Sequence, residues 1–337
     1  MEFQLPIQIP PLPEPINYRD GILLIGSCFT EHIGNKLQEL KFNVLQNPNG
    51  ILFDPQSVAN SLVSYIQHRQ YTENDLFYFN ELWQSWQHHS QFSGMDKNGC
   101  LQRINAAQQQ AHHFLKQAAC IIITLGSSFS YRLAAAAPAF ARQPGTVTAV
   151  ANCHRAPADW FNKHLMGIEE TNAALDNCIH QLLHFNPALK IIFTVSPVRH
   201  IRDGVTENNR SKARLIEVVH NLVNKFDRLY YFPAYELVID VLRDYRFYDI
   251  DMVHPNYPAT GFVMEKFIQH CIDAPSQSAM EEVKKIVIAK KHRAFQPATK
   301  AHQQFLQLHL EKATALQKKY PFLDFSEETA YFSAAAL

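Results

Sequence analysis

Two short segments of this chain carry residues that could together perform acyl transfer. Ser27 and Cys28 stand side by side in "GSCF", where an apolar run gives way to a helical pattern. Asp251 precedes His254 by three residues in "DMVHP". A carboxylate at that spacing can orient an imidazole, and an oriented imidazole can take the proton from a serine hydroxyl.

Each of these segments also has a purely structural interpretation. Serine and aspartate are favoured helix N-caps, so Ser27 could cap one helix and Asp251 another, predicted to begin near Ala259. As a nucleophile, Ser27 would gain from a helix N-terminus, whose amides favour negative charge beside it. Cys28 is an alternative nucleophile, because a thiol at a helix N-terminus has a lowered pKa.

The elements that must position these residues are short strands alternating with helices. Five nearly continuous apolar runs predict strands buried on both faces, at residues 22–26, 42–45, 120–125, 190–195 and 229–232. Helical patterns separate them, one from Phe29 to Leu40 and others at residues 56–67, 103–118, 168–185 and 209–226. This alternation predicts a doubly wound α/β sheet with right-handed crossovers.

Ligands of such sheets bind beyond the carboxyl ends of the strands. The segments there carry polar residues suited to acyl transfer: Ser27, Cys28, Asn49, Gly50, Ser127, Ser128, Arg199, His200, Asp251 and His254. Neither the glycine-rich dinucleotide fingerprint nor a Walker-type phosphate loop occurs. Arg199 and His200 could bind a substrate anion, or could pair with Asp203.

Composition restricts the classes of partner. The 337 residues include 31 Lys+Arg and 31 Asp+Glu, so no domain-wide basic field for nucleic acid or anionic membranes is evident. No signal-peptide pattern and no apolar run of about 20 residues occurs, and we expect no membrane partner. The six cysteines are far apart in the sequence. We therefore expect free thiols and a cytoplasmic protein.

We expect a main domain over residues 1–273 and a C-terminal helical extension over 274–337, with two long helices broken at Gln296-Pro297. Insertions are predicted at about 77–100 and 133–160. The first contains Trp83, Trp86 and His89, which suit either a substrate-binding lid or a hydrophobic plug.

His180 and His184 have a spacing that can bind a metal. They lack the glutamate of the metalloprotease motif, and histidine is favourable at a helix C-terminus. We expect a solvated helix end, with no metal and no organic cofactor.

Six segments in order along the chain resemble the GSCFA family, a branch of the SGNH (GDSL-like) hydrolase superfamily. They are "GSCF", "NPNGILFDP", "ITLGSSFSYR", "VANCHRAP", "TVSPVRHIRDG" and "YRFYDIDMVHPN". The resemblance implies a flavodoxin-like three-layer α/β/α sandwich around a mostly parallel five-stranded sheet. It also implies a serine esterase that removes acyl groups, acetyl-like ones for example, from a carbohydrate or another small ester.

Transferred by motif, the resemblance makes Ser27 the nucleophile, His254 the base and Asp251 its orienting acid, with Cys28 as a packing neighbour. The oxyanion hole would use the amides of Ser27 and Gly50. Ser128 stands where the superfamily has an asparagine donor, and Asn49, Asn152 and His154 are candidate substitutes. The alternatives are an SGNH-fold ligand-binding protein without turnover, or an acyltransferase.

Overall fold

A central parallel sheet of five strands organises the main body of the protein. The computed structural model describes residues 5–142 and 149–334. In sheet order the strands are β2 (Asn43–Gln46), β1 (Gly21–Gly26), β5 (Cys120–Leu125), β8 (Lys190–Val195) and β9 (Leu229–Tyr231). Numbered along the chain, this is the 2-1-3-4-5 order of flavodoxin-like folds. The predicted fold class is therefore confirmed.

The register of the strands places their carboxyl ends at one edge. Gly26 of β1 lies opposite Thr124 of β5, and Leu125 lies opposite Val195 of β8. The segments that follow residues 26, 125 and 195 therefore leave the sheet beside one another. This edge is where open parallel sheets bind ligands.

Apolar side chains on both faces of the sheet are buried. Those of Leu23, Ile25 and Phe193 join a core with helices α2 (Pro55–Ile66), α3 (Lys97–Gln117), α4 (Ile168–Phe185) and α5 (Val205–Lys225). The alternate residues, such as Leu24 and Ile122, are also buried. Both faces of the sheet are thus covered, as the continuous apolar runs predict.

Two antiparallel strand pairs interrupt the alternation of strands and helices. The first pairs β3 (Phe77–Phe79) with β4 (Leu82–Gln84), within the predicted insertion at 77–100. The second pairs β6 (Phe129–Leu133) with β7 (Phe161–Leu165). The predicted insertion at 133–160 falls largely between those strands, and its residues 143–148 lie outside the described residues.

The chain forms two compact units. Unit 1 comprises residues 1–9, 21–34 and 45–265, and unit 2 comprises residues 10–20, 35–44 and 266–337. The remaining helices are α1 (Cys28–Glu39), α6 (Ala234–Glu236), α7 (Tyr257–Cys271), α8 (Ala274–Lys291), α9 (Lys300–Lys319) and α10 (Ser326–Ala334). The C-terminal region thus has three helices where the sequence pattern predicts two.

Two further findings concern the cysteines and the helices. Within residues 5–142 and 149–334, none of the six cysteines is in a disulfide. No helix of this described part is both long and apolar enough to cross a bilayer.

Candidate active site

Ser27 lies at the turn from β1 into α1, directly after Gly26. Its backbone amide donates to the Thr124 carbonyl at 3.1 Å, which continues the β1–β5 ladder by one residue. The side chain is only 1% exposed, and its Oγ has no hydrogen-bond partner among the described residues. A buried hydroxyl without a protein partner calls for an explanation, such as a bound water, local strain or a role in chemistry.

Gly126, just after β5, packs directly against Ser27. A Cβ at this glycine would lie 3.1 Å from Ser27 Cβ and 3.2 Å from the Phe53 carbonyl oxygen. That carbonyl accepts hydrogen bonds from the amides of Gly126 and Ser127, at 2.9 and 3.0 Å. The ends of β1 and β5 and the segment before α2 therefore meet at Ser27.

Asp251 and His254 form a hydrogen-bonded pair in the turn before α7. Asp251 Oδ1 accepts from the amides of Val253 and His254, at 2.9 and 3.0 Å, and Oδ2 lies 2.6 Å from His254 Nδ1. The His254 amide, then the imidazole, holds the pKa of the Asp251 carboxyl down to about 2. Because the carboxylate is ionised, Nδ1 donates and Nε2 is left as a proton acceptor.

Asp251 is not the N-cap of α7, because Asn256 occupies the N-cap position. Its Oδ1 accepts from the Ala259 amide at 3.3 Å, and α7 begins at Tyr257. The Asp251–His254 turn also lies near the start of α1. Partial burial lowers the pKa of His32 on α1, and the charge of His254 lowers it further. The pair and Ser27 thus flank the same helix start, although Ser27 Oγ does not bond to the imidazole.

The backbone amide of Gly50 donates to the Asn47 carbonyl at 2.7 Å. Gly50 has φ +78, and a Cβ there would approach His89 Cβ to 2.2 Å, so only glycine fits. His89 in turn donates its amide to the Asn49 carbonyl at 2.8 Å. The amide that the resemblance assigns to an oxyanion hole is therefore part of a tight turn.

Ser128 is hydrogen-bonded to α5. Its amide donates to Ser211 Oγ at 2.8 Å, and its hydroxyl donates to the Ser211 carbonyl at 3.2 Å. Asn49, a candidate substitute, is likewise engaged through both amide atoms: Nδ2 donates to Ser61 Oγ at 2.8 Å, and Oδ1 accepts from the Tyr65 hydroxyl at 3.0 Å.

The other candidate substitutes, Asn152 and His154, bond to each other and to the β3–β4 region. Asn152 Oδ1 accepts from the His154 amide at 2.8 Å, and His154 Nε2 donates to the Ser85 carbonyl at 2.8 Å. Burial lowers the pKa of His154 to about 4. Its neutral ring lies among aromatic side chains, 5.8 Å from the rings of Phe77 and Trp86.

Arg199 ties the end of β8 to the turn that carries His254. Its amide donates to the Val253 carbonyl at 3.2 Å, and its Nη1 donates to the Met252 carbonyl at 3.3 Å. The guanidinium also lies over the Tyr248 ring at 4.2 Å. Asp203, the expected partner of Arg199 and His200, is instead paired with Lys163.

His200 lies on the Ser27 side of the same segment. Its ring meets the Phe53 ring edge-on at 5.6 Å between centroids, and its amide donates to Asn208 Oδ1 at 2.8 Å. Burial, then the charge of Lys212, lowers the pKa of His200 to about 4. Through Phe53, which also contacts Gly126, His200 belongs to the group of residues around Ser27.

The comparison with family models covers the segments that carry these residues. Residues 21–267 match the model described as the GSCFA family. The chain belongs to the GSCFA family. Residues 283–336 match a second model, described as the GSCFA domain protein C-terminal domain. No curated protein matches the chain.

In this GSCFA chain, Cys28 is not set up as a reactive thiol. It is partly buried at the start of α1. Burial raises the pKa of its thiol, and the nearby Glu31 raises it further. An activated cysteine has a lowered pKa, which is the opposite of the shift at Cys28.

The aromatic residues of the first hairpin region differ in exposure. Trp86 is 1% exposed, stacks on Phe77 at 3.8 Å and donates its indole N–H to the Ala141 carbonyl. A substrate therefore cannot stack on Trp86 in this structure, because the indole is a core residue. Trp83 is partly exposed, with Lys97 Nζ 4.7 Å above its ring.

The histidines that could suggest a metal lie apart from this site. His180 is exposed and faces Asp176 at 3.6 Å, one turn earlier on α4. Across residues 5–142 and 149–334, no three His, Cys, Asp or Glu side chains are grouped so as to hold a metal ion.

Sequence reasoning missed several residues of the site. Phe53 contacts Gly126, and Asn47 accepts from the Gly26 amide at 3.0 Å while its buried Nδ2 has no partner in the described chain. Lys212, on α5, is fully buried beside Gly126. A signal for Lys212 was present, since a lysine interrupts the apolar face of a predicted helix.

Proposed function

We propose that this GSCFA chain is a serine-dependent ester hydrolase of the SGNH type. Ser27 is the nucleophile, His254 the general base and Asp251 the residue that orients the imidazole. The observation that carries the proposal is the 2.6 Å bond between Asp251 Oδ2 and His254 Nδ1, at the same sheet edge as the buried, unpartnered Ser27 Oγ. Nucleophile, base and orienting acid are the three parts that acyl transfer requires.

In the proposed reaction, Ser27 Oγ attacks the acyl carbonyl while His254 Nε2 takes its proton. The imidazolium then protonates the departing alcohol, which leaves an acyl group on Ser27. Water deprotonated by His254 attacks that acyl group, and the carboxylic acid departs as Ser27 regains its proton. Asp251 stays ionised and stabilises the imidazolium throughout.

The proposed substrate is an acyl ester, acetyl-like for example, of a carbohydrate or another small alcohol. The oxyanion donors implied by the resemblance to the SGNH superfamily are the amides of Ser27 and Gly50, with Ser128. Each now bonds within the fold, so each would have to share its hydrogen with the oxyanion. Loss of one such donor lowers rates by roughly 10²–10³, and we expect a correspondingly modest turnover.

A fluorophosphonate probe tests the serine assignment. Serine attack on phosphorus expels fluoride and leaves a stable adduct, so we expect labelling of the native chain at Ser27 by mass spectrometry. Ser27→Ala is expected to abolish the label, whereas Cys28→Ala is expected to keep it. Labelling that survives Ser27→Ala and disappears with Cys28→Ala would make Cys28 the nucleophile.

A second candidate function is ligand binding without turnover. Two observations favour it: Ser128 is bonded to Ser211, and Ser27 Oγ has no bond to His254. It predicts no acid release from acetylated sugars or short p-nitrophenyl esters, together with measurable binding of the same sugars. Transfer to an acceptor other than water would instead give an acylated product in place of free acid.

A further inference from the structure

One face of α5 changes from apolar to polar where it reaches the carboxyl ends of the strands. Toward its C-terminus the face is built of Leu215, Val218, Val219 and Leu222, all buried. Its first turns instead present Asn208, Ser211 and Lys212, which are also buried. The spacing of three and four residues puts these polar side chains on the same stripe as the apolar ones.

Each of the three polar residues holds a strand end. Asn208 Oδ1 accepts from the His200 amide at 2.8 Å, after β8. Ser211 Oγ accepts from the Ser128 amide at 2.8 Å and lies 3.2 Å from Ser127 Oγ, after β5.

Lys212 reaches both strand ends at once. Its Nζ donates to the Gly126 carbonyl and to the Ser196 carbonyl, each at 2.6 Å. The polar stripe therefore ties the segments after β5 and β8 to one rigid helix.

Lys212 is an expensive residue for this position. It is 1% exposed, and the acceptors it has in the described chain are carbonyl oxygens, with no carboxylate to neutralise it. Burial lowers its pKa to about 7, and a negative charge on Cys28 would raise it. A buried ammonium is costly, and an apolar side chain of similar length would avoid that cost.

Lys212 binds a segment that lies directly beside Ser27. Gly126, whose carbonyl it binds, is the glycine that packs against Ser27. Two ionisable groups face the ammonium from other elements: Cys28, the neighbour of Ser27 on α1, and His200 after β8. The lysine is thus placed to fix the strand ends and to put a positive charge beneath the site.

We propose that Asn208, Ser211 and Lys212 are positioning residues of the Ser27 site, and that Lys212, which joins the ends of β5 and β8, is the member on which the reactivity of Ser27 depends. This inference rests on the proposed function. Lys212 touches neither substrate nor reacting atoms: it sets the position of Gly126 and the field in which the oxyanion forms. Preorganised charge of this kind favours a developing anion.

The test compares Lys212→Met and Lys212→Gln with Val219→Ala. Methionine fills the space without charge or donors, and glutamine keeps a donor without the charge. Val219→Ala removes buried volume from the same helix stripe, two turns away, and provides a matched loss of thermal stability.

We expect both Lys212 variants to react with a fluorophosphonate at least 30-fold more slowly than the native chain, with KM for a p-nitrophenyl ester within twofold. Val219→Ala is expected to keep the native rate. Equal rates for Lys212→Met and Val219→Ala at matched melting temperature would overturn the inference. So would a Lys212→Gln rate within threefold of native, because the charge would then be unimportant.

A second readout does not depend on ester chemistry. The rate of Cys28 alkylation by iodoacetamide at pH 6, followed by peptide mass spectrometry, reports the stabilisation of its thiolate while Lys212 is mostly protonated. The Lys212 ammonium favours the thiolate, so Lys212→Met is expected to slow the alkylation. An unchanged rate would contradict the inference even where the native chain hydrolyses esters.

The two proposals can therefore fail separately. A native chain that neither labels nor turns over esters refutes the proposed function, while the Cys28 alkylation rate at pH 6 still tests the placement of Lys212. Where Lys212→Met does not fold, Ser211→Ala replaces it, because that variant keeps the charge. It is expected to slow labelling about tenfold with an unchanged Cys28 alkylation rate, and a native labelling rate would count against the positioning role.

Discussion

At the level of single residues, the proposed nucleophile and its base differ sharply in their exposure to water. The Ser27 side chain is almost wholly buried, whereas the side chains of Asp251 and His254 are 46% and 42% exposed. The Asp251–His254 bond does not depend on burial, because two backbone amides fix the carboxylate within its own turn. The pair is thus oriented before any substrate covers it.

Replacing Asp251 by Asn tests that orientation. The amide keeps the size of the carboxylate but offers a donor to Nδ1, which favours the wrong imidazole tautomer. We expect fluorophosphonate labelling at Ser27 to fall by about 10²–10⁴-fold. Since the pKa of Asp251 is about 2, the carboxylate is ionised across the assay range. The carboxylate itself therefore does not titrate in that range, and native and variant are compared at pH 8.

The matched control is Asp249→Asn in the same turn. Asp249 contributes its amide to the His254 carbonyl, a backbone bond that the substitution leaves in place. Its labelling rate is expected to stay within threefold of native. An Asp251→Asn protein that labels as fast as Asp249→Asn would mean that His254 needs no orienting acid, or is not the base.

At the level of secondary-structure elements, the site depends on how closely three chain segments approach one another. Gly126 allows the segment after β5 to lie against both Ser27 and the Phe53 carbonyl. Gly126→Ala would place a methyl carbon 3.1 Å from Ser27 Cβ, so one of the two must move by a few tenths of an ångström. We expect a loss of stability of about 1–3 kcal/mol, and labelling at least tenfold slower because the nucleophile is displaced.

Gly261→Ala is the control for adding a methyl group elsewhere. Gly261 lies in the exposed part of α7, and nothing would come within 4 Å of its Cβ. This variant should gain up to about 1 kcal/mol from helix propensity and keep the native labelling rate. Denaturant unfolding and labelling kinetics would be measured on both. Native labelling by Gly126→Ala would show that the close approach at Ser27 is unimportant for reactivity.

Element types followed from the sequence better than element ends or side-chain environments. Strands 120–125 and 190–195 and helix 168–185 have the predicted bounds, since their apolar patterns fill the elements. Helix α3 begins at Lys97 instead of 103, because Asp96 caps it by accepting from the amides of Asn98 and Gly99. The first turn of α3 is polar and shows no apolar periodicity, so the sequence pattern predicted a start that lies too far along the chain.

The environments of the site residues could not be read from their types. Ser128 aligns with an oxyanion donor, but its partner Ser211 is 83 residues away in the sequence. Tryptophan is a residue type that often stacks on sugars, yet the face of Trp86 is covered by the Phe77 ring. By contrast, the Asp251–His254 contact is local, so the three-residue spacing allows it and the family resemblance was enough to predict it.

At the level of the whole molecule, unit 2 is assembled from segments that are far apart in the sequence. The Leu12 amide donates to the His270 carbonyl, and the Ile16 amide donates to the Cys271 carbonyl. Tyr18 stacks on Phe42 at 4.2 Å and donates its hydroxyl to the Leu40 carbonyl. Unit 2 therefore joins residues 10–20 and 35–44 to the predicted C-terminal extension, a grouping of distant segments that helix and strand patterns do not reveal.

An ion pair joins two of these segments in the interior of unit 2. Lys41 Nζ lies 2.7 Å from Glu328 Oε2, with side-chain exposures of 15% and 4%. Lys290 on α8 approaches the same carboxylate at 3.5 Å. Glu327, the preceding residue on α10, also pairs with Lys290 at 2.8 Å, but its side chain is 76% exposed. The two adjacent glutamates thus make similar contacts at very different depths.

Comparing Glu328→Gln with Glu327→Gln shows how much the burial of an ion pair, as opposed to its mere presence, contributes to stability. Removing the buried charge leaves Lys41 without its counter-ion, and we expect Glu328→Gln to lower the stability of unit 2 by about 2–4 kcal/mol. Solvent screens the exposed pair, so Glu327→Gln should cost much less than Glu328→Gln. Hydrogen exchange of the α8 and α10 amides measures the stability of this unit directly. Equal losses in the two variants would show that the buried pair does not hold residues 35–44 to the C-terminal helices.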